Sequence, residues 1–140
     1  MDLIMTPAEW KIMRIIWTKG QAQSSTVVEV IQDDWSASTV KTLLARLVKK
    51  QVLTTTRVGR SFVYHPAISE TTAMKQTASA LFENLCATKQ GLVLADLLAN
   101  LTLSQKDLAD LQNIIQEKLP TAPTKVDCNC LDQTAICSCS

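Results

Sequence analysis

Aromatic side chains make up only 4% of this 140-residue chain, and turn formers are scarce, with three glycines and four prolines. A composition so short of them, yet 46% hydrophobic, is that of a mainly helical soluble protein with one respectable core or two small ones. No apolar run approaches the roughly 20 residues of a membrane span, so no membrane partner is expected. The start, Met1-Asp-Leu-Ile-Met-Thr-Pro7, lacks the basic opening and apolar stretch of a signal peptide, which points to a reducing, cytoplasmic location. Histidine occurs once, as His65 beside Pro66, at an expected strand end. With no nucleophile–base pair and no Gly-rich phosphate loop, an enzyme is not expected.

Acidic residues are missing from one region in particular. Residues 1–66 carry nine Lys/Arg against five Asp/Glu, whereas residues 67–140 carry five against eight. From Trp35 to Pro66 six basic residues occur (Lys41, Arg46, Lys49, Lys50, Arg57, Arg60) and no acidic one. Such a local excess is what a polyanion-binding surface needs, although a charged stretch alone is more often a solvated face.

What is present gives that stretch a shape. Thr6-Pro7-Ala8-Glu9 reads as a helix start, with Thr6 as cap, Pro7 at the first helical position and Glu9 completing a capping box. The helix runs to about Thr18, carries Trp10, Met13 and Trp17 on one face as core, and stops at Lys19-Gly20. A short helix follows Ser24-Ser25 and is broken by Asp33-Asp34. Ser36 caps a third helix from Ala37 to about Gln51, in which Val40, Leu43, Leu44, Leu47 and Val48 keep helical spacing. Its other face presents Ser38, Thr39, Thr42, Ala45, Arg46 and Lys49, with Lys41 at the margin. Val52 to Arg57 and Ser61 to Tyr64 read as two strands around a Val58-Gly59-Arg60 turn. Three helices and then a hairpin is the order of a winged helix-turn-helix, in which the third helix enters the major groove and the hairpin touches flanking phosphate.

The fold class is therefore mainly α: a winged helix-turn-helix over 1–66 with a small β-hairpin wing, a helical region over 67–119, a linker over 120–127 and a cysteine-rich tail over 128–140. In the helical region one long helix is expected from Ser69 to about Cys86, and a second from Leu92 to Asn100. A third is capped by Ser104 with Asp107 three residues on, and is ended by Pro120. Three helices this apolar and this short call for a second copy. Leu108, Leu111 and Ile115, on the last helix, are the candidate dimerisation residues, and a symmetric dimer suits a DNA reader.

Four of the five cysteines stand in the tail as two Cys-x-Cys pairs, Cys128/Cys130 and Cys137/Cys139. Residues two apart aim both sulfurs at one centre when the backbone is extended or turning. Four clustered thiolates form a soft site, suited to Zn(II) in tetrahedral geometry or to Cu(I). The competing readings are a pair of disulfides, a reversible redox sensor and an inert tail; a reducing compartment favours metal ligation over all three. Cys86 stands apart in a helical pattern and reads as a buried small hydrophobe.

Several of these segments resemble the penicillinase-repressor family of transcriptional regulators. They are Ala8-Glu9-Trp10-Lys-Ile-Met13, Ile15-Ile16-Trp17, Trp35-Ser36 with Thr39-Val40-Lys41-Thr42-Leu43, Arg46-Leu47, Lys49-Lys50, Gly91-Leu-Val-Leu94 and Leu103-Ser104-Gln105. The resemblance covers residues 5–119, and the tail resembles that of the family's copper-responsive, CopY-type branch. It implies a dimeric winged-helix repressor on double-stranded, palindromic operator DNA, with Ser38, Thr39, Lys41, Thr42 and Arg46 at recognition-helix positions and Arg57 and Arg60 in the wing. It further implies Cys128, Cys130, Cys137 and Cys139 as ligands that exchange Zn(II) for Cu(I), with release of the operator; a copper chaperone is a candidate donor of Cu(I). Two departures stand out. The spacer between the cysteine pairs is six residues, longer than is usual in that branch, and Ser36-Ala37-Ser38 replaces the family's usual Ser-Pro-Lys.

Two other functions fit parts of the sequence. A β-lactam-responsive repressor inactivated by proteolysis would share the same region, but the Asn-Phe bond cleaved in such relatives occurs nowhere here. A copper-buffering or copper-delivery protein would explain the tail and leave the recognition face and the acid-free stretch without a use.

Overall fold

The computed structural model describes residues 4–131. Six α-helices and three short strands follow in the order α1 (Pro7–Lys19), β1 (Ala22–Gln23), α2 (Ser24–Val30), α3 (Ala37–Lys49), β2 (Leu53–Val58), β3 (Ser61–Pro66), α4 (Glu70–Glu83), α5 (Gln90–Asn100) and α6 (Gln105–Lys118). Short 3-10 turns stand at Ala87–Lys89 and Leu119–Thr121. The chain forms two compact units, Met1–Ala80 and Leu81–Ser140.

In the first unit α1, α2 and α3 pack around Ile12, Met13, Ile16, Val27, Val40, Leu44 and Leu47, all fully buried. Val52 and Leu53 carry that core into the wing, and Ala73, fully buried on α4, closes it. At roughly 1.5–3 kcal/mol per buried large side chain, this cluster is the main source of the unit's stability. Trp10 and Trp17 lie on its rim with ring centroids 5.8 Å apart, and the Trp17 indole donates to the Ile68 carbonyl at 2.9 Å.

The wing belongs to a three-stranded antiparallel sheet of order β1-β3-β2, not to a hairpin alone. Ala22 pairs with Tyr64 and Gln23 with Val63, while β2 and β3 pair from Leu53↔Pro66 to Val58↔Ser61. Two residues are too few for alternation to show, so β1 left no periodic signal. Gly59, at φ 63°, supplies the positive φ at the first position of the two-residue hairpin turn. The step from α3 into β2 is a Schellman-type end: Val52 N–H donates to the Leu47 carbonyl and Gln51 N–H to that of Val48, with Gln51 left-handed at φ 65°.

Helix starts follow the expected caps with one difference. Ser104 and Asp107 form a complete reciprocal box at α6. At α1 the Thr6 side chain accepts from Glu9 N–H, but the Glu9 carboxylate takes the Thr6 hydroxyl at 3.1 Å and both its oxygens take the Lys50 ammonium, at 2.8 and 2.9 Å. Glu9 is fully buried, so its charge needs that cation.

The long helix expected from Ser69 to Cys86, most of which belongs to the first unit, ends at Glu83. The Phe82 carbonyl is taken by the Leu85 N–H and by the Gln90 side chain at 2.8 Å, which closes the helix before Cys86. The last helix reaches Lys118 and is ended at Pro120 as its sequence implies. No helix among the described residues is long and apolar enough to cross a membrane.

Candidate nucleic-acid interface and metal centre

The fold turns α3 so that its apolar stripe faces the core and the remainder faces solvent. Val40, Leu43, Leu44 and Leu47 are buried, whereas Ser38, Thr39, Lys41, Thr42 and Arg46 are exposed, with Lys49 beside them. The N-terminal end is rich in hydroxyls. Ser36 Oγ accepts from Thr39 N–H at 3.1 Å and lies 3.0 Å from both the Ser38 and Thr39 hydroxyls. The Thr42 hydroxyl donates to the Ser38 carbonyl at 2.9 Å, so toward a partner it presents its methyl and an acceptor, not its proton. One helical turn further on, Arg46 and Lys49 bring cationic charge, which is favoured near a helix C-terminus.

Arg57 and Arg60 stand exposed at the tip of the wing. Arg57 Nε donates to the Gly59 carbonyl at 3.2 Å, which ties the side chain to the turn. Lys41 of α3 and Arg60 of the wing line one open recess of about 400 Å³ together with Gln23, Ser24, Ser25 and Tyr64. The contribution of Gln23 to Ser25 depends on β1, so sequence reasoning had no means of placing it there. Lys50, one of the six basic residues of the acid-free stretch, is withdrawn from the face by its pairing with Glu9.

On α6, Leu108, Leu111 and Ile115 line an apolar groove with Leu98 of α5. All four are exposed in the single chain, and no described residue from Leu81 onward is buried. A contiguous apolar face of this kind marks an interaction surface.

The tail cysteines meet an unexpected neighbour. Cys128 and Cys130 lie half-buried with Cys86, and the three Sγ atoms are all within 4.8 Å of one another. Cys86 is not inside a helix and not fully buried: it sits between α4 and the Ala87–Lys89 turn with φ −57° and ψ 123°. Asn129 fixes this approach, since its Oδ1 accepts from Ala87 N–H at 2.7 Å and its Nδ2 donates to the Leu85 carbonyl at 3.2 Å. Zn–S bonds of about 2.3 Å in tetrahedral geometry place sulfurs roughly 3.8 Å apart, within about an ångström of the limit inside which these three lie, so the set could hold one soft cation. Cys137 and Cys139 lie outside the described residues.

Helices α1 to α3 followed by the β2–β3 hairpin define a winged helix-turn-helix, the fold class of many DNA-binding regulators. The penicillinase repressor family matches residues 5–117, and the chain belongs to that family of transcriptional repressors. It is 44% identical over 135 residues to an uncharacterized 16.5 kDa protein in the ptsI 3' region of Latilactobacillus sakei, a match that covers 95% of this chain and 92% of that one. It is 28% identical over 116 residues to the methicillin resistance regulatory protein MecI of Staphylococcus aureus strain N315, covering 81% of this chain and 94% of MecI. A solved CopR repressor structure is 43% identical, covers 48% of this chain and 100% of its own, and has a TM-score of 0.40.

Proposed function

We propose that this chain is a copper-responsive transcriptional repressor that acts as a homodimer on a palindromic operator. The dimer forms through the apolar groove of α5 and α6, and each copy offers one α3 and one wing to the duplex. Arg46, Lys41, Ser38, Thr39 and Thr42 reach base edges and phosphates in the major groove, and Arg57 and Arg60 contact flanking phosphate. The tail thiols Cys128, Cys130, Cys137 and Cys139 hold Zn(II) in the operator-competent protein. Their exchange to Cu(I), delivered by a copper chaperone, releases the operator and derepresses copper-homeostasis genes.

The observation that carries the metal half of this reading is the gathering of Cys128 and Cys130 with a third sulfur, all Sγ atoms within 4.8 Å, on a chain whose other end presents an acid-free helix and wing. Thiolates are soft donors, and Cu(I) outranks Zn(II) for them while accepting fewer sulfurs per ion. A change in the number and direction of metal–sulfur bonds alters which tail arrangement is favoured. An inducer shifts an equilibrium only by such a differential affinity for two states.

The test is a titration of the zinc-loaded full-length protein, bound to its promoter DNA, with Cu(I) under reducing conditions. Zinc and DNA should leave together near stoichiometric copper. A protein that stays on the operator after all zinc has been displaced is not a copper sensor. One that takes up copper but never shows salt-dependent operator binding is a buffer or carrier.

A further inference from the structure

We propose that Cys86 is itself a metal ligand, so that the bound cation staples the C-terminal tail to the junction between α4 and α5. The inference rests on the reading of the tail as a metal site and names a ligand outside that tail, together with its consequence. Three observations carry it. The Cys86, Cys128 and Cys130 sulfurs lie within 4.8 Å of one another, although Cys86 is more than forty residues away in the chain. Cys86 occupies an extended position after the end of α4, where its side chain is not committed to a helix face.

The third observation is the Asn129 amide, which sits between the two tail cysteines and bonds to both backbone neighbours of Cys86: the Leu85 carbonyl and the Ala87 N–H. A two-ended bond of that kind sets register. It holds the Cys128-Asn-Cys130 segment where its sulfurs reach the one at Cys86, and a purely hydrophobic role for Cys86 gives no reason for it. The ligand class is a soft, thiophilic cation such as Zn(II), Cd(II) or Cu(I), and each thiol that binds it gives up its proton to solvent.

The consequence is a route from metal to helices within one unit. Gln90, the first residue of α5, donates to the Phe82 carbonyl near the end of α4 and so closes the junction that carries Cys86. A cation held by Cys86 and the tail together braces this junction, and a cation held by the tail alone does not. A change of metal that drops Cys86 from the ligand set would therefore be felt at the start of α5, whose Leu98 lines the apolar groove.

The full-length protein loaded with cadmium-113 tests this directly, because scalar coupling between the cadmium and cysteine β-protons identifies each coordinating residue. Coupling to Cys86 together with Cys128 and Cys130 is expected. Coupling to tail cysteines without Cys86 overturns this inference and leaves the tail site standing, whereas coupling to no cysteine overturns both. In parallel, Cys86→Ser should lower zinc retention against a competing chelator by at least about tenfold, and Asn129→Ala, which keeps every thiol, by roughly ten- to a hundredfold as loss of an outer-shell bond. Wild-type retention in Cys86→Ser would count against the ligand role.

Discussion

The two halves of this chain solve the burial problem in opposite ways. In the unit up to Ala80, thirteen apolar side chains form a closed core, and the one charged residue buried with them among the described residues, Glu9, is paired with Lys50. In the unit from Leu81, α5 and α6 bury nothing, and Leu92, Leu101, Ile114 and Ile115 are each more than half exposed. The first unit is complete as a single chain. The second is an unfinished core, and in the proposed dimer its missing half is a second copy's α5 and α6. The contrast fits the proposed division of labour between a reading head and a responsive end: marginal, partner-dependent packing is where a small free-energy input changes the state.

Loss of the apolar groove should have the largest effect. Leu111→Ala with Ile115→Ala should yield monomers, at a cost of about 2–5 kcal/mol for each side chain that the dimer buries. The first unit should keep its cooperative unfolding, because none of its core residues is touched. Sedimentation and thermal unfolding of the double variant decide this. A dimer that persists at micromolar concentration would mean that another surface joins the copies.

The complementary cut falls in the first unit. Lys50→Ala leaves the Glu9 carboxylate fully buried with only the Thr6 hydroxyl and N-cap geometry to support it. Breaking one side of a buried pair costs about 3–5 kcal/mol, and the low end applies because the Lys50 side chain is 36% exposed. Urea unfolding should show that loss in the winged helix, while association through α6 is retained. Stability within 0.5 kcal/mol of wild type, roughly the scatter of surface substitutions, would make the pair ornamental.

These two regions also differed in how much their sequence disclosed. The core of the first unit was readable because Val40, Leu43, Leu44 and Leu47 repeat at helical spacing and Ser36 marks the start, so the exposed face of α3 followed by subtraction. The Glu9–Lys50 pair was not readable: the two residues are 41 apart, and a lysine in a basic run gives no sign that it turns inward. In the second unit the apolar surplus of α5 and α6 was legible as a need for a partner. The place of Cys86 was not, because helical periodicity continues past Glu83 and the end of α4 is set by the Gln90 side chain, a tertiary bond that no local pattern announces. Read from the sequence alone, Cys86 was a buried small hydrophobe, and only its half-buried place beside Cys128 and Cys130 changes that reading.

A smaller effect separates the reading surface from the fold that carries it. Arg46→Ala should leave both units folded and the dimer intact, since Arg46 is exposed and pairs with nothing buried. Operator affinity should fall by about 1–3 kcal/mol if the side chain meets a base edge. If it meets phosphate, the slope of log affinity against log salt should drop by about 0.9. Binding isotherms at several salt concentrations distinguish the two, and unchanged isotherms would remove Arg46 from the interface.

The smallest change expected is a gain. Gln51 ends α3 in the left-handed conformation at φ 65°, among the described residues the one non-glycine with positive φ, and a β-carbon there costs about 1–2 kcal/mol. The position is forced: the Val52 N–H must reach the Leu47 carbonyl for the chain to turn from the recognition helix into β2 while Val52 and Leu53 enter the core. Gln51→Gly removes the steric cost but adds backbone freedom to the unfolded chain, so the net gain should be about 0.5–1 kcal/mol. The gain should appear only in the unfolding of the first unit, with subunit association and metal retention unaltered, because Gln51 lies in the turn that leads Val52 and Leu53 into that unit's core. A Gln51→Gly variant that also shifts the monomer–dimer equilibrium would show that the two units are not energetically separate.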